Sequence, residues 1–139
     1  MKKVLITVNT TQSYNEESDT IELVTEGIMN FENNEYNLEY DETEISGMGG
    51  TTTNIKISDD SVELIRKGTT NSHLKFKKGY THLSLYGIEE GAFEIAVKTN
   101  SIKIDINDLG GRVDLDYKIE TQGVEISRNV LVLTVKPIN

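Results

Sequence analysis

The sequence predicts an antiparallel all-β domain, closed as a barrel or folded as a sandwich. Three observations carry this. Apolar residues alternate with period two from one end of the 139-residue chain to the other, no segment sustains a helical apolar stripe, and Gly, Asn and Asp punctuate the alternating runs. About ten short strands joined by such turns form a barrel or a sandwich rather than a mixed fold. Closure is attractive because the chain has a single proline with which to blunt exposed strand edges.

Val4, Ile6 and Val8 share one face of the first strand. Ile21 and Leu23 begin a second, whose parity is lost near Gly27, where a glycine within a strand predicts a bulge or sharp bend. The polar run SYNEESD between them reads as a flexible or extended hairpin tip. EYNLEYDETE places Tyr36, Leu38 and Tyr40 on one side of a third strand, and Ile55 and Ile57 mark a fourth. After a tight turn at Asp59-Asp60, SVELIRKG aligns Val62, Leu64 and Arg66 on a fifth. HLKFKKGY predicts a hairpin turning at Lys77-Lys78-Gly79, and THLSLYG the strand after it. GAFEIAVKTN aligns Phe93, Ile95, Val97 and Thr99, and SIKIDIN, as a separate strand, aligns Ile102, Ile104 and Ile106. Asp108 to Gly111 form a turn, RVDLDYKIE aligns Val113, Leu115, Tyr117 and Ile119, and NVLVLTV is the last strand. Phe93, Val97, Ile104, Leu115 and Val132 are expected to fill the core.

Residues 1–139 are the size of one domain, large enough to bury a core without metal or disulfide staples. The chain carries 14 Lys plus Arg against 23 Asp plus Glu, a formal charge of −9, which repels a phosphate backbone or an anionic membrane. It has no cysteine, which excludes disulfides and thiolate metal sites and fits a reducing compartment. In MKKVLITVNTTQ the apolar run ends at Thr7, Asn9 and Thr10, too early for a signal-peptide core or a membrane span, so the expected location is the cytoplasm.

The segment ISGMGGTTT, Ile45 to Thr53, has the glycines of a phosphate cradle but neither the lysine nor the following helix that such a loop needs. Lying between two strands, it reads as a turn whose glycines supply positive φ and whose threonines begin the next strand. His73 and His82 lack partners at zinc-ligand spacing, and the serines lack a nucleophile-elbow context, so no metal or cofactor and no catalytic residue is assigned. Lys75, Lys77 and Lys78 around Phe76 form the one basic cluster, read as a solvated hairpin tip.

Two charges break the parity of their strands. Arg66 shares a face with Val62 and Leu64, and Glu42 with Tyr36, Leu38 and Tyr40, so both point inward unless a strand end or bulge flips them to the rim. A buried charge is tolerated mainly when paired, which makes Glu42 or Glu44 the expected partner of Arg66.

The order of YNLEYDE, GGTTTNIKI, VELIRKG, LYGIEEGAFEIAVKTNSI and GGRVDLDYKIE resembles the YwiB-like family of small bacterial proteins, from roughly residue 4 to residue 135. Most similar are Arg66-Lys67-Gly68, the pair Tyr86-Gly87 followed by a strand reaching Thr99, and Gly111 to Tyr117. The resemblance implies a calycin-like antiparallel meander barrel of about eight to ten strands, shaped like lipocalins, with no established function or catalytic residues. Such a barrel is either filled or holds one small ligand. Arg66, Glu42, Tyr40, Tyr86, Thr99 and Tyr117 are the expected ligand-binding residues for a small anionic or amphipathic molecule, with Arg66 as anchor for an anionic or carboxylate group. The alternative is a filled barrel working through its acidic surface or a strand edge, including self-association as a homodimer. Acid–base chemistry by a Glu-Arg-Tyr set stays open as a third reading.

Overall fold

The computed structural model describes residues 2–88 and 90–138, apart from the side chain of Ile88. The elements are β1 (Lys2–Tyr14), β2 (Glu17–Glu32), β3 (Glu35–Asp41), a 3₁₀ turn (Glu44–Ser46), β4 (Thr51–Ile57), β5 (Ser61–Gly68), β6 (Ser72–Lys77), β7 (Thr81–Ile88), β8 (Gly91–Asn107), β9 (Gly110–Thr121) and β10 (Val124–Pro137). They form one ten-stranded sheet in the order β6-β5-β4-β3-β2-β1-β10-β9-β8-β7. Every neighbour pairs antiparallel, so the all-β meander read from the sequence is the fold.

Closure is nearly complete. β1 and β10 pair from Val4↔Pro137 to Ser13↔Arg128, which brings the two ends of the chain side by side. The sheet edges are β6 and β7, which meet through the backbone only at Asn71↔Gly87, with N···O distances of 2.8 and 2.7 Å. Further along this seam the Lys75 N–H donates to His82 Nδ1 at 3.2 Å and the Lys77 N–H to Thr99 Oγ1 at 3.2 Å. Side chains thus take over from a ladder where the strands splay, answering the need of buried backbone N–H groups for an acceptor.

Inside, alternate residues pack as the period-two pattern requires. Val4, Ile6, Leu38, Ile55, Ile57, Val62, Phe76, Val97, Val113, Leu115 and Leu133 are all 2% exposed or less. Burying each such side chain stabilises the fold by about 1.5–3 kcal/mol before chain entropy is counted.

Four local readings differ from the structure. GAFEIAVKTN and SIKIDIN are one strand, β8, whose register against β9 slips between Thr99 and Ser101. That bulge reverses parity, so Ile95 and Val97 on one side of it and Ile102 and Ile104 on the other all pack on the core. Val132 faces outward, since β10 buries Leu131, Leu133 and Val135 instead. Phe93 has the expected parity but is 42% exposed, lying on Tyr86 across the strand pair where β7 and β8 rise past the packed core. Gly27 makes no bulge: β1 and β2 stay in register through it, and a Cβ there would lie 2.5 Å from Ile6 Cδ1 and 2.6 Å from the Glu39 carbonyl, so the glycine permits a close approach of β2 to β3. The segment SYNEESD, by contrast, takes the extended of its two readings, a hairpin tip turning at Asn15 and Glu16 with φ of 48° and 67°, the two positive values of a type I′ turn.

The seam generates a pH prediction. His82 is held below its ordinary value of 6.5 first by burial, then by the charges of His73 and Lys75, against a smaller opposing pull from Glu63. His73 lies 5.3 Å away ring to ring and itself meets Glu63 at 2.8 Å, while the Tyr80 ring, with Lys75 over it, stacks on His82 at 6.3 Å. A lowered folded value means the unfolded chain takes up the proton first, so the stabilisation is full above about pH 6.5 and declines as pH falls through the folded value. Protonated Nδ1 also ceases to accept from Lys75. Urea midpoints taken from about pH 8 to about pH 5 should fall, with faster amide exchange at Lys75. His82→Gln should flatten that decline, and an unchanged slope would remove His82 from the seam's pH response.

Candidate functional site

The inward faces change character along the barrel. On β4 they run Ile57, Ile55, Thr53, Thr51; on β5 Val62, Leu64, Arg66; on β6 Phe76, Leu74, Ser72; on β10 Val135, Leu133, Leu131, Asn129, Ser127. Large apolar residues fill one end. Smaller and more polar residues occupy the other. At that end lies a cavity of about 380 Å³ bounded by β1, β2, β3, β5, β6 and the strands across the barrel from them.

Register places Tyr40, Thr53, Arg66 and Ser72 side by side on one rung across β3, β4, β5 and β6. Glu42 follows at the end of β3, its N–H donating to the Thr51 carbonyl at 2.8 Å. Its side chain is 1% exposed, accepts the Thr53 hydroxyl at Oε2, and faces Arg66 Nε at 3.7 Å. This is the pair the parity conflict predicted, with Glu42 rather than Glu44 as partner; Glu44 sits in the 3₁₀ turn. The Arg66 side chain is 15% exposed, and its Nε is buried with no hydrogen-bond partner among the described residues. Ser72 Oγ, on the neighbouring position of β6, is buried and unpartnered too. Buried polar atoms are rarely left so, and two on adjacent positions set this rung apart from the apolar interior.

Tyr40 and Tyr117 complete the polar part of the wall. The Tyr40 phenol is pushed far above its ordinary value by burial and then by the Glu42 charge, with Arg66 opposing. Tyr117 is raised by burial, again against Arg66. Both therefore stay neutral at physiological pH, able to donate and accept. Tyr86 also lines the cavity.

Five of the six expected residues, Arg66, Glu42, Tyr40, Tyr86 and Tyr117, thus share one cavity, and Thr99 does not. Thr99 sits at the β8 bulge, where its hydroxyl and backbone tie down Lys77, Gly79 and Tyr80 across the seam. Sequence reasoning missed Gln12 and Asn129, which continue the Tyr117 rung from β9 through β10 to β1 and line the same cavity. The signal was an Asn at the parity of Leu131 and Leu133, hidden by assigning Val132 to the core.

The loop over this end is ISGMGGTTT. Ser46, Gly47 and Met48 line the cavity mouth, with positive φ of 76° at Gly47 and 85° at Gly50. Thr43 caps the 3₁₀ turn by accepting the Ile45 N–H at 3.2 Å, and the Thr69 hydroxyl donates to the Gly49 carbonyl at 2.8 Å. Among the described residues no three His, Asp or Glu side chains converge as metal ligands, and no helix is long and apolar enough to cross a membrane. Lys77 of the basic cluster pairs with Asp60 at 3.4 Å.

Comparison with known proteins places this architecture. The model of a domain of unknown function, DUF1934, matches residues 6–133. The chain belongs to that family. It is 27% identical over 99 residues to the uncharacterized beta-barrel protein YwiB of Bacillus subtilis (strain 168), covering 71% of this chain and 68% of that protein. It superposes on the crystal structure of ywiB protein from Bacillus subtilis with a TM-score of 0.89 at 21% identity, over 99% of this chain and 93% of that one, a likeness of fold. The YwiB-like resemblance read from the sequence is therefore the family.

The ion pair can be measured by a double-mutant cycle. Arg66→Met strands the Glu42 carboxylate and should cost roughly 3 kcal/mol in urea unfolding at neutral pH. Adding Glu42→Gln to that variant should restore a large part of the loss, giving a coupling of about 1–3 kcal/mol. Additive costs would mean that the two side chains do not sense each other.

Proposed function

We propose that this protein is a small-molecule-binding barrel. Its ligand is amphipathic, enters past the Ser46–Met48 loop, sets a polar group at Arg66 and lays an apolar part against Leu23, Leu74, Ile95 and Leu131. The observation that carries the reading is the Arg66 guanidinium, facing buried Glu42 at 3.7 Å, in the wall of a cavity of about 380 Å³. Ligand pockets of about 300–1,000 Å³ combine apolar walls with a few convergent polar groups, and small barrels of lipocalin type hold one ligand in this way. The shared architecture is an analogy of shape, and the argument rests on the site. Binding is assigned to the cytoplasm, in keeping with a chain that has no cysteine. No reacting constellation is assigned.

A second reading has one observation in its favour. From Ser101 to Asn107, β8 has β9 as its only paired neighbour, and Leu83 and Leu85 of the edge strand β7 are each 65% exposed. An open edge suits strand addition by a partner chain, a second copy included, and the leucines, paired with Ala96 and Glu94 further along β8, add apolar surface to the same hairpin.

Native mass spectrometry of protein purified without unfolding separates the two. Binding predicts a small-molecule adduct that disappears in Arg66→Met, and a metabolite screen containing hits that raise Tm by several degrees, since a ligand at a hundred times its Kd adds about 2.7 kcal/mol. A dimer without adduct, unmoved by any metabolite, would transfer the function to the surface.

A further inference from the structure

The charges in the cavity wall limit what its ligand can be. Arg66 and Glu42 are the only ionisable groups of formal charge among the described residues that line it, and they face each other at 3.7 Å with Glu42 1% exposed. The pair sums to zero. An anionic head group brought to Arg66 would therefore leave a net negative charge beside the buried Glu42 carboxylate, and neither Tyr40 nor Tyr117 offsets it. The hydrogen-bonding inventory points the same way. A guanidinium only donates and a carboxylate only accepts, so a group meeting both must accept on one side and donate on the other.

Resting on the binding reading above, we infer that the ligand's head is an uncharged, planar acceptor–donor group of carboxamide type, such as an amide, lactam or cyclic ureide, in place of the anion that Arg66 alone suggests. Its carbonyl oxygen accepts from the Arg66 guanidinium and its N–H donates to Glu42. The remaining positions of the head meet the Tyr40 and Tyr117 hydroxyls, which stay protonated and can turn to either role. Specificity arises because a carboxylate satisfies Arg66 but leaves Glu42 facing another acceptor, a mismatch that costs more than a lost contact.

Two probes with one tail test this: octanamide and octanoate, titrated at neutral pH into the full chain labelled with nitrogen-15. Octanamide should shift the Arg66 Nε–H resonance and the amides around Tyr40 and Tyr117, and bind at least about tenfold more tightly than octanoate. In Glu42→Gln the offsetting charge is gone and the preference should narrow or reverse. Octanoate binding as tightly as octanamide to the native chain would overturn the head-group assignment and leave the binding reading standing. An undiminished amide preference in Glu42→Gln would overturn the role given to Glu42. If neither probe moves the cavity resonances at millimolar concentration, the binding reading itself fails and the inference goes with it. Should Glu42→Gln not fold, the comparison of the two probes on the native chain still decides the head-group class.

Discussion

Everything in this molecule depends on the ladder between β1 and β10. An antiparallel meander offers two raw edges, and the pairing from Val4↔Pro137 to Ser13↔Arg128 joins what would be the first and last strands of an open sheet. Once those are joined, the edges fall in the middle of the chain, at β6 and β7, which a short turn tethers. The seam then needs little backbone pairing. One bridge at Asn71 and Gly87 fixes one end, Thr99 holds the other, and the His82 imidazole satisfies an amide between them. The cost is topological: the β1–β10 contacts span nearly the whole chain, and their loop-closure entropy is met only by the burial that closure allows.

Much of this was legible in the chain, for a physical reason. Alternation with period two is dictated by the pleat, so any strand with one wet face displays it, and β3, β4, β5 and β9 were readable directly from Leu38, Ile55, Leu64 and Leu115. The failures have two causes. A bulge changes parity without a residue type that announces it, which split β8 at Thr99. β10 carries apolar residues on both faces, Val130 and Val132 outside and Leu131 and Leu133 inside, so parity there has no sequence signature, and Asn129 was overlooked as a result. The Arg66–Glu42 pair could be anticipated for the opposite reason: a charge at an apolar parity is conspicuous, and few partners of opposite sign share the interior.

Whether the barrel is filled was not legible, because that turns on sums of side-chain volume across strands far apart in sequence. β4 and β6 both pass from large apolar to small polar residues in the same direction along the barrel, Ile57 to Thr51 and Phe76 to Ser72. Either series alone reads as a strand end approaching water. Only the register, which sets Thr53 beside Arg66 and Arg66 beside Ser72, shows that the two taper toward a common space.

That taper bears on why the site is polar at all. A barrel under selection for stability alone would continue Ile, Leu and Phe to its rim, since replacing a buried ion pair by well-packed apolar side chains is often neutral or stabilising. This chain instead buries Glu42, leaves the Arg66 Nε and Ser72 Oγ without partners among the described residues, and keeps a cavity lined by Arg66 and Glu42, each of which costs stability. The ladder that closes the barrel supplies the surplus these features draw on. Departures from local consistency in an otherwise regular sheet concentrate at one end and on one rung, the pattern expected where a sequence answers to something other than packing.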